Sequence, residues 1–387
     1  MKPAGLIISA LLLNLSIALA GNPAPAFPGA EGFGRFASGG RGGEIVHVTT
    51  LDDSGAGSFR DAVSKPNRVV VFDVGGLIRL KSNVAVSSAI SLLGQTAPGD
   101  GIMFYGRSVS FSGQKNVIVR YLRFREGITG DKGKCSVNLS NGSDMIFDHC
   151  SIEWGRWDCL GLTQGSHDIT FQNCLIGEGV DPQRFGSLSD SVNNITYTHN
   201  LWINNQSRNP KAKGRIQYIN NVVYNWGVCG LVGGHSAGDH FQDVVGNYFI
   251  AGPNSNSHFV GEFKATDHVF QKDNFADMNK DGKLDGRAVI AADFGGGESA
   301  PTFVPDPSVG PLTNVTIESA SSALSNILAH AGCSLHRDAV DARLIDEVKS
   351  FGARGKISHS EAEVGGAGEW KEVRAPANLK AVDVGKF

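Results

Sequence analysis

The chain has 387 residues, 50 of them glycine, with 35 Lys+Arg against 38 Asp+Glu. Glycine at nearly twice its usual share, 19% charged and 41% hydrophobic residues exclude a disordered polyelectrolyte. The absent G-X-Y period excludes collagen, and a net charge of -3 gives no bulk attraction for nucleic acid or anionic lipid.

In chain order, Met1 and Lys2 lead an apolar run over 6–19, and Ala18-Leu-Ala20 then fits the small-residue rule for signal cleavage. The run is shorter than the ~18–20 residues that span a bilayer, so 1–20 reads as a signal peptide of a secreted, extracellular protein without a membrane partner. Secretion gives meaning to two other features. Cys135, Cys150, Cys159, Cys174, Cys229 and Cys333 permit up to three bridges, with pairing unspecified. Asn138, Asn141, Asn194, Asn205 and Asn314 open N-x-S/T sequons, which marks a candidate glycoprotein.

The segment 58–63 has the form of a short capping helix. The stretches 69–80, 82–93 and 102–112 then read as three coils separated by glycine turns. From there the chain repeats itself: Val117-Ile-Val-Arg-Tyr-Leu-Arg-Phe124, Met145-Ile-Phe-Asp-His-Cys-Ser-Ile152, Ile169-Thr-Phe-Gln-Asn-Cys-Leu-Ile176, Ile195-Thr-Tyr-Thr-His-Asn-Leu-Trp202 and Ile216-Gln-Tyr-Ile-Asn-Asn-Val-Val223. The starts at 145, 169, 195 and 216 lie 24, 26 and 21 residues apart. Each unit alternates apolar residues and then meets a polar corner, as a strand bent by a turn does, and a period of this size predicts stacked coils. A leucine-rich repeat would need Leu-x-x-Leu-x-Leu lines, which are absent. The corner holds Cys150, Cys174, Asn200, Asn221 and Asn247, which a parallel β-helix would stack about 4.8 Å apart. Leu324, Ile327 and Leu328, then Val340, Leu344 and Val348 before Gly352, predict helices lying along the solenoid or across its end. The expectation is one all-β, right-handed parallel β-helix domain over 21–361, followed by a loose tail over 362–387.

Two segments carry chemistry. Asn204-Asn-Gln-Ser-Arg-Asn-Pro-Lys-Ala-Lys-Gly214 gathers Arg208, Lys211 and Lys213, with Arg215 next, into a cationic cluster beside a strand end. On a rigid scaffold that suggests a polyanionic ligand such as a uronic-acid polysaccharide. Asp277-Met-Asn-Lys-Asp-Gly-Lys-Leu-Asp285 places Asp277, Asn279, Asp281, Lys283 (through its carbonyl) and Asp285 at positions 1, 3, 5, 7 and 9 of an EF-hand-type calcium loop over 277–288. Gly282 holds position 6, and Ala288 replaces the bidentate Glu of position 12.

Phe27-Pro-Gly-Ala-Glu-Gly-Phe-Gly34, Gly94-Gln-Thr-Ala-Pro-Gly-Asp-Gly101, Ile146-Phe-Asp-His149, Trp154-Gly155, Ser207-Arg-Asn-Pro210 and Asn220-Asn-Val-Val-Tyr-Asn-Trp-Gly227 resemble, in order, secreted pectate lyases of polysaccharide lyase family 1. The likeness runs from about 27 to about 351 and is greatest to the pectate lyase C type. It implies a parallel β-helix, a monomer, and calcium-assisted β-elimination on polygalacturonate, the de-esterified form of pectin. Through the R-x-P motif it makes Arg208 the catalytic base, with Lys213 and Arg184 as substrate-binding cations. A guanidinium in that role needs neighbouring cations and a dry groove. The family's acidic groove-calcium ligands fall on Cys135, Trp157 and Asp158, so only Asp158 keeps a carboxylate, with Glu153 and Glu178 as substitutes. Asp148 and His149 read as structural. Two alternatives stay open: a polysaccharide binder that has lost catalysis, suggested by Cys135 and Trp157, and a hydrolase, for which no clustered carboxylate pair is present.

Overall fold

The computed structural model describes residues 23–375, so the expected signal peptide and the last twelve residues lie outside the described part. The chain winds into about nine coils. Each coil contributes strands to three parallel ladders, which form the faces of a prism. The first face runs from Glu44–Val48 through Arg68–Phe72, Lys115–Arg120, Ser143–Asp148 and His167–Gln172 to Asp267–Lys272. The second runs from Val84–Ala85 through Val109–Ser110, Val137–Ser140 and Asp158–Thr163 to Val260–Gly261. The third runs from Val74–Arg79 through Leu122–Arg125, Ser151–Glu153 and Leu201–Ile203 to Phe275–Asp277. Phe185–Thr198 and Lys211–Ile219 are long enough to serve the second face and then the first.

Alternation decides what fills the prism. Inward residues at the same place in successive coils stack on one another, and so the Phe147 ring lies 4.6 Å from Phe171, nearly parallel, with Tyr197 5.6 Å further on. Such contacts are worth about 0.5–1.5 kcal/mol each beyond the burial itself. The polar corner between the first and third faces is built by a residue in the left-handed region, as at Asn173 (φ 52°) and Asn220 (φ 52°), followed by the stacked position. There Asn200, Asn221, Asn247 and also Asn274 form a ladder. Each carboxamide oxygen accepts the backbone N–H of the coil before it, as from Asn221 to Asn247 Oδ1 at 2.8 Å, while Nδ2 reaches a carbonyl, as from Asn221 to Tyr197 at 3.0 Å. Cys150 and Cys174 continue the stack as buried thiols, and all six cysteines are free. Asn221→Ala should cost about 3 kcal/mol in a urea melt, because it orphans buried backbone groups on two coils.

The ends and the third face are covered. Helix α1 (Phe59–Ala62) begins at Ser58, whose Oγ accepts the Asp61 N–H, and it sets Phe59 4.2 Å from the Phe104 ring. Helices α2 (Ala320–His330) and α3 (Ala339–Val348) lie along the third face. Leu324, Ile327, Leu344 and Val348 pack there on Leu201, Val222 and Tyr224. Of the tail expected to be loose over 362–387, the described part to 375 folds back: Val373–Arg374 pairs antiparallel with Val74 and Gly75 of the first coils. A solenoid's first strand otherwise leaves its edge open, and this pairing closes part of it.

Candidate active site

The second face carries the expected cationic residues. Arg208 follows a bridge between Ser207 and Phe185 and has φ 63°. Its backbone is pinned by neighbours: Arg208 O accepts Ser187 N–H at 2.7 Å, Asn205 Nδ2 donates to Asn209 Oδ1 at 2.9 Å, and Asn209 N–H donates to Gly230 O at 3.0 Å. The asparagines of this loop therefore serve as fasteners, and the arginine side chain is left to project. Its guanidinium lies 4.2 Å over the Phe185 ring, and Nη1 donates to both Asp158 oxygens at 3.2 Å. Asp158 is buried, and desolvation raises its pKa to about 6 even against Arg208.

Lys211 and Lys213 follow on one side of the same strand, in register with Leu188 and Asp190. Lys213 Nζ donates to Asp190 at 2.9 Å. Lys211 Nζ lies 3.4 Å from the His235 ring and 3.9 Å from Glu262. Burial lowers its pKa, with Glu262 opposing and Arg208 and Lys213 adding to the shift. Arg184, which immediately precedes Phe185, pairs with Asp181 at 3.3 Å. Arg208, Lys211 and Lys213 thus share one stretch of groove, each held by an acid, and Arg184 is held by Asp181 just before Phe185. Arg215 departs from the sequence reading: the strand has by then turned onto the first face, where Arg215 stacks over Phe241 and donates to Ser308 O. Phe185, Asp190, His235 and Glu262 were not anticipated. Their partnership with the basic residues depends on lateral register between coils, which no local pattern announces.

The groove does not supply an oxygen cage for calcium. Cys135 is buried beside Asp158, and burial pushes its thiol pKa up. The Asp158 carboxylate is engaged by Arg208. The nearby Glu126 carboxylate is buried and accepts the Asp131 N–H at 3.0 Å. Glu153 and Glu178, expected as substitutes, lie on the third face: Glu153 pairs with Arg125, and Glu178 with Arg343 at 2.7 Å. Among the described residues no three His, Cys, Asp or Glu side chains converge on a metal position. Asp148 and His149 are structural in geometry, with buried Asp148 taking Arg120 and Gln172.

The loop after Phe275–Asp277 suits a hard cation better in its donor chemistry. Asn279 and Asp281 accept local N–H groups, Asn279 Nδ2 donates to Asp285 at 2.8 Å, and Gly282 takes φ 83°. Burial first, and then the charges of Asp285 and Asp281, raise the Asp277 pKa, a crowding of negative charge that a cation would relieve. Strand Arg287–Ala288 closes the loop by pairing antiparallel with Phe275 and Ala276, where an EF-hand would have a helix.

A parallel β-helix with an arginine and lysines along one groove suits a polysaccharide lyase, the class to which its relatives belong. Among known proteins, the chain is 42% identical over 347 residues to a probable pectate lyase C of Aspergillus terreus, covering 89% of this chain and 82% of that protein. It is likewise 42% identical over 346 residues to a probable pectate lyase C of Aspergillus fumigatus, covering 89% and 81%. No family model matches. The thermostable pectate lyase PL 47 shares the fold with TM-score 0.58 at 14% identity, covering 80% of this chain and 98% of that one. The major allergen from cedar pollen does so with TM-score 0.56 at 18% identity, covering 78% and 92%. The chain belongs to the pectate lyase family.

Proposed function

We propose that the substrate is polygalacturonate and that Arg208 is the base of its β-elimination. The observation that carries this reading is Arg208 at the groove with Lys211 and Lys213 close enough to feel its charge and each other's. Arg208 acts as the neutral guanidine, its extra proton first given up to solvent: the proton at C5 of a galacturonate passes to it, the C4–O bond breaks with its electron pair leaving on the glycosidic oxygen, which takes a proton from water, and a 4,5-unsaturated end remains. Lys211, Lys213 and Arg184 receive uronate carboxylates in exchange for Glu262, Asp190 and Asp181, and proton transfer requires Arg208 to part from Asp158. Cations around the reacting carboxylate favour the carbanionic transition state.

Pectate lyases generally use calcium, which can acidify a carbon acid bound through its carboxylate. The groove residues do not form a cage for it, and no step above passes through one. The loop residues Asp277, Asn279, Asp281, Lys283 (carbonyl) and Asp285 would hold calcium as a brace, since Gly282 N–H donates to Phe351 O at the end of α3. The chain acts extracellularly as a monomer in this reading.

The test mixes purified protein with polygalacturonate and calcium, with and without chelator, and follows the ultraviolet absorbance of the unsaturated product. Absorbance should rise, and chelator should lower the melting temperature by a few degrees through loss of the loop ion. New reducing ends without absorbance would mean hydrolysis, and binding without any product would favour the non-catalytic alternative.

A further inference from the structure

The outward side of the first face is covered by the start of the described chain. Over the middle coils the cover is close: Gly34 N–H donates to Thr170 Oγ1 at 2.9 Å, and Phe27, Ala37, Ile118 and Ile146 pack together. Over the earlier coils, beside Phe27, it leaves a cavity of about 350 Å³, a size usual for small-molecule pockets. The floor is set by register. Strand Ile90–Leu93 lies between Arg68–Phe72 and Lys115–Arg120, so Val69, Ser91 and Ile118 form one outward row, and Leu93 and Arg120 belong to the next. Ala26 and Phe27 make one wall, and Ser38, Arg41 and Gly42 the other. The second wall rests directly on the coil, where Gly40 N–H donates to Ser91 Oγ at 3.0 Å and a Cβ on Gly40 would come within 1.9 Å of Arg68 O.

The lining has the chemistry to hold an amphipathic anion. Phe27, Val69, Leu93 and Ile118 give it a largely apolar surface, its charged side chains are two arginines, and no carboxylate lines it. Arg120 lies 4.0 Å over the Phe27 ring and is neutralised by buried Asp148. Arg41 is exposed and has no carboxylate partner among the described residues. Its Nη2 donates to Pro25 O at 2.8 Å and to Ala26 O at 3.3 Å, which leaves its other N–H groups for a ligand. A guanidinium meets a carboxylate through paired N–H donors, while an apolar body on the floor is removed from water. A flat ring fits that body, since Phe27 offers it an aromatic partner.

We propose that this cavity binds a small aromatic carboxylate, with the ring against Phe27, Val69 and Leu93 and the carboxylate on Arg41. The site lies on a different face from Arg208 and does not depend on the lyase reading.

The experiment titrates cinnamate, and cinnamyl alcohol as its uncharged counterpart, into wild type, Arg41→Gln and Val69→Trp in a calorimeter. Val69 is half-buried on the outer side of its strand, so a larger side chain there fills the cavity without entering the prism. Wild type should bind cinnamate about tenfold more tightly than the alcohol, the size of one charge-assisted hydrogen bond. Arg41→Gln should lose that tenfold for cinnamate and bind the alcohol as before. Val69→Trp should bind neither, while its turnover of polygalacturonate and its melting temperature match wild type. If Val69→Trp melts early, Arg41→Gln decides alone. Failure of wild type to bind cinnamate, equal affinity for acid and alcohol, or equal loss of both in Arg41→Gln would overturn the proposal.

Discussion

Replacing Arg125 by alanine should destabilise the protein by about 3–5 kcal/mol, the cost of leaving buried carboxylates without their cation. Arg125 is fully buried on the third face and touches Glu153, Asp338 (Nη2 to Oδ1 at 3.2 Å) and Asp341 (Nη2 to Oδ1 at 2.8 Å). Asp338 caps α3 and Asp341 lies in its first turn, so one guanidinium ties the helix to two coils. Arg123, 3.4 Å from Asp341 and 3.7 Å from Asp338, would remain beside those two acids, while Glu153 would lose its ion-pair partner. The effect has a pH signature. Arg125 and Arg123 hold Asp338 well below the usual carboxylate range despite its burial. A depressed carboxylate contributes stability above its unfolded pKa and loses that contribution as pH falls through the folded one. Wild type therefore loses stability in acid while the variant has less to lose, and the gap between their urea midpoints should narrow as pH drops. A constant gap would assign the cost to packing around the side chain.

This cluster also shows what sequence reasoning reaches. The coil repeat was legible because burial inside a stack forces the same residue type into the same place. That made Cys150, Cys174, Asn200, Asn221 and Asn247 readable as one column before any coordinate, and Ser58 and Gly352 marked helix limits in the same way. Glu153 and Glu178 were misplaced because their partners lie elsewhere in the chain: Arg125 on the neighbouring coil, 28 residues earlier, and Arg343 on a helix that arrives 165 residues later. Outward residues of a coil carry no local mark of what will cover them. The groove was half legible. Arg208, Lys211 and Lys213 stand in one short segment, whereas their partners Asp158, Glu262 and Asp190 sit on other coils. The uneven spacing of the repeats and the irregular register between Asp190 and Ile195 conceal which rows align. The return of Val373–Arg374 to the first coils was hidden for a simpler reason, since a two-residue pairing has no periodicity to detect.

The second large effect concerns chemistry. Arg208→Lys should lower kcat on polygalacturonate by roughly 10³-fold, within the usual 10²–10⁴ contribution of a positioned base. Lysine keeps the charge but loses the planar group that stacks on Phe185 while meeting Asp158. KM should move little, because Lys211, Lys213 and Arg184 still hold the polymer. The most direct test of the account is therefore the initial rate of unsaturated-product formation by Arg208→Lys beside wild type, with matched melting curves. The account predicts a loss of about three orders of magnitude in kcat with the fold intact, and a variant that retains wild-type turnover would contradict it.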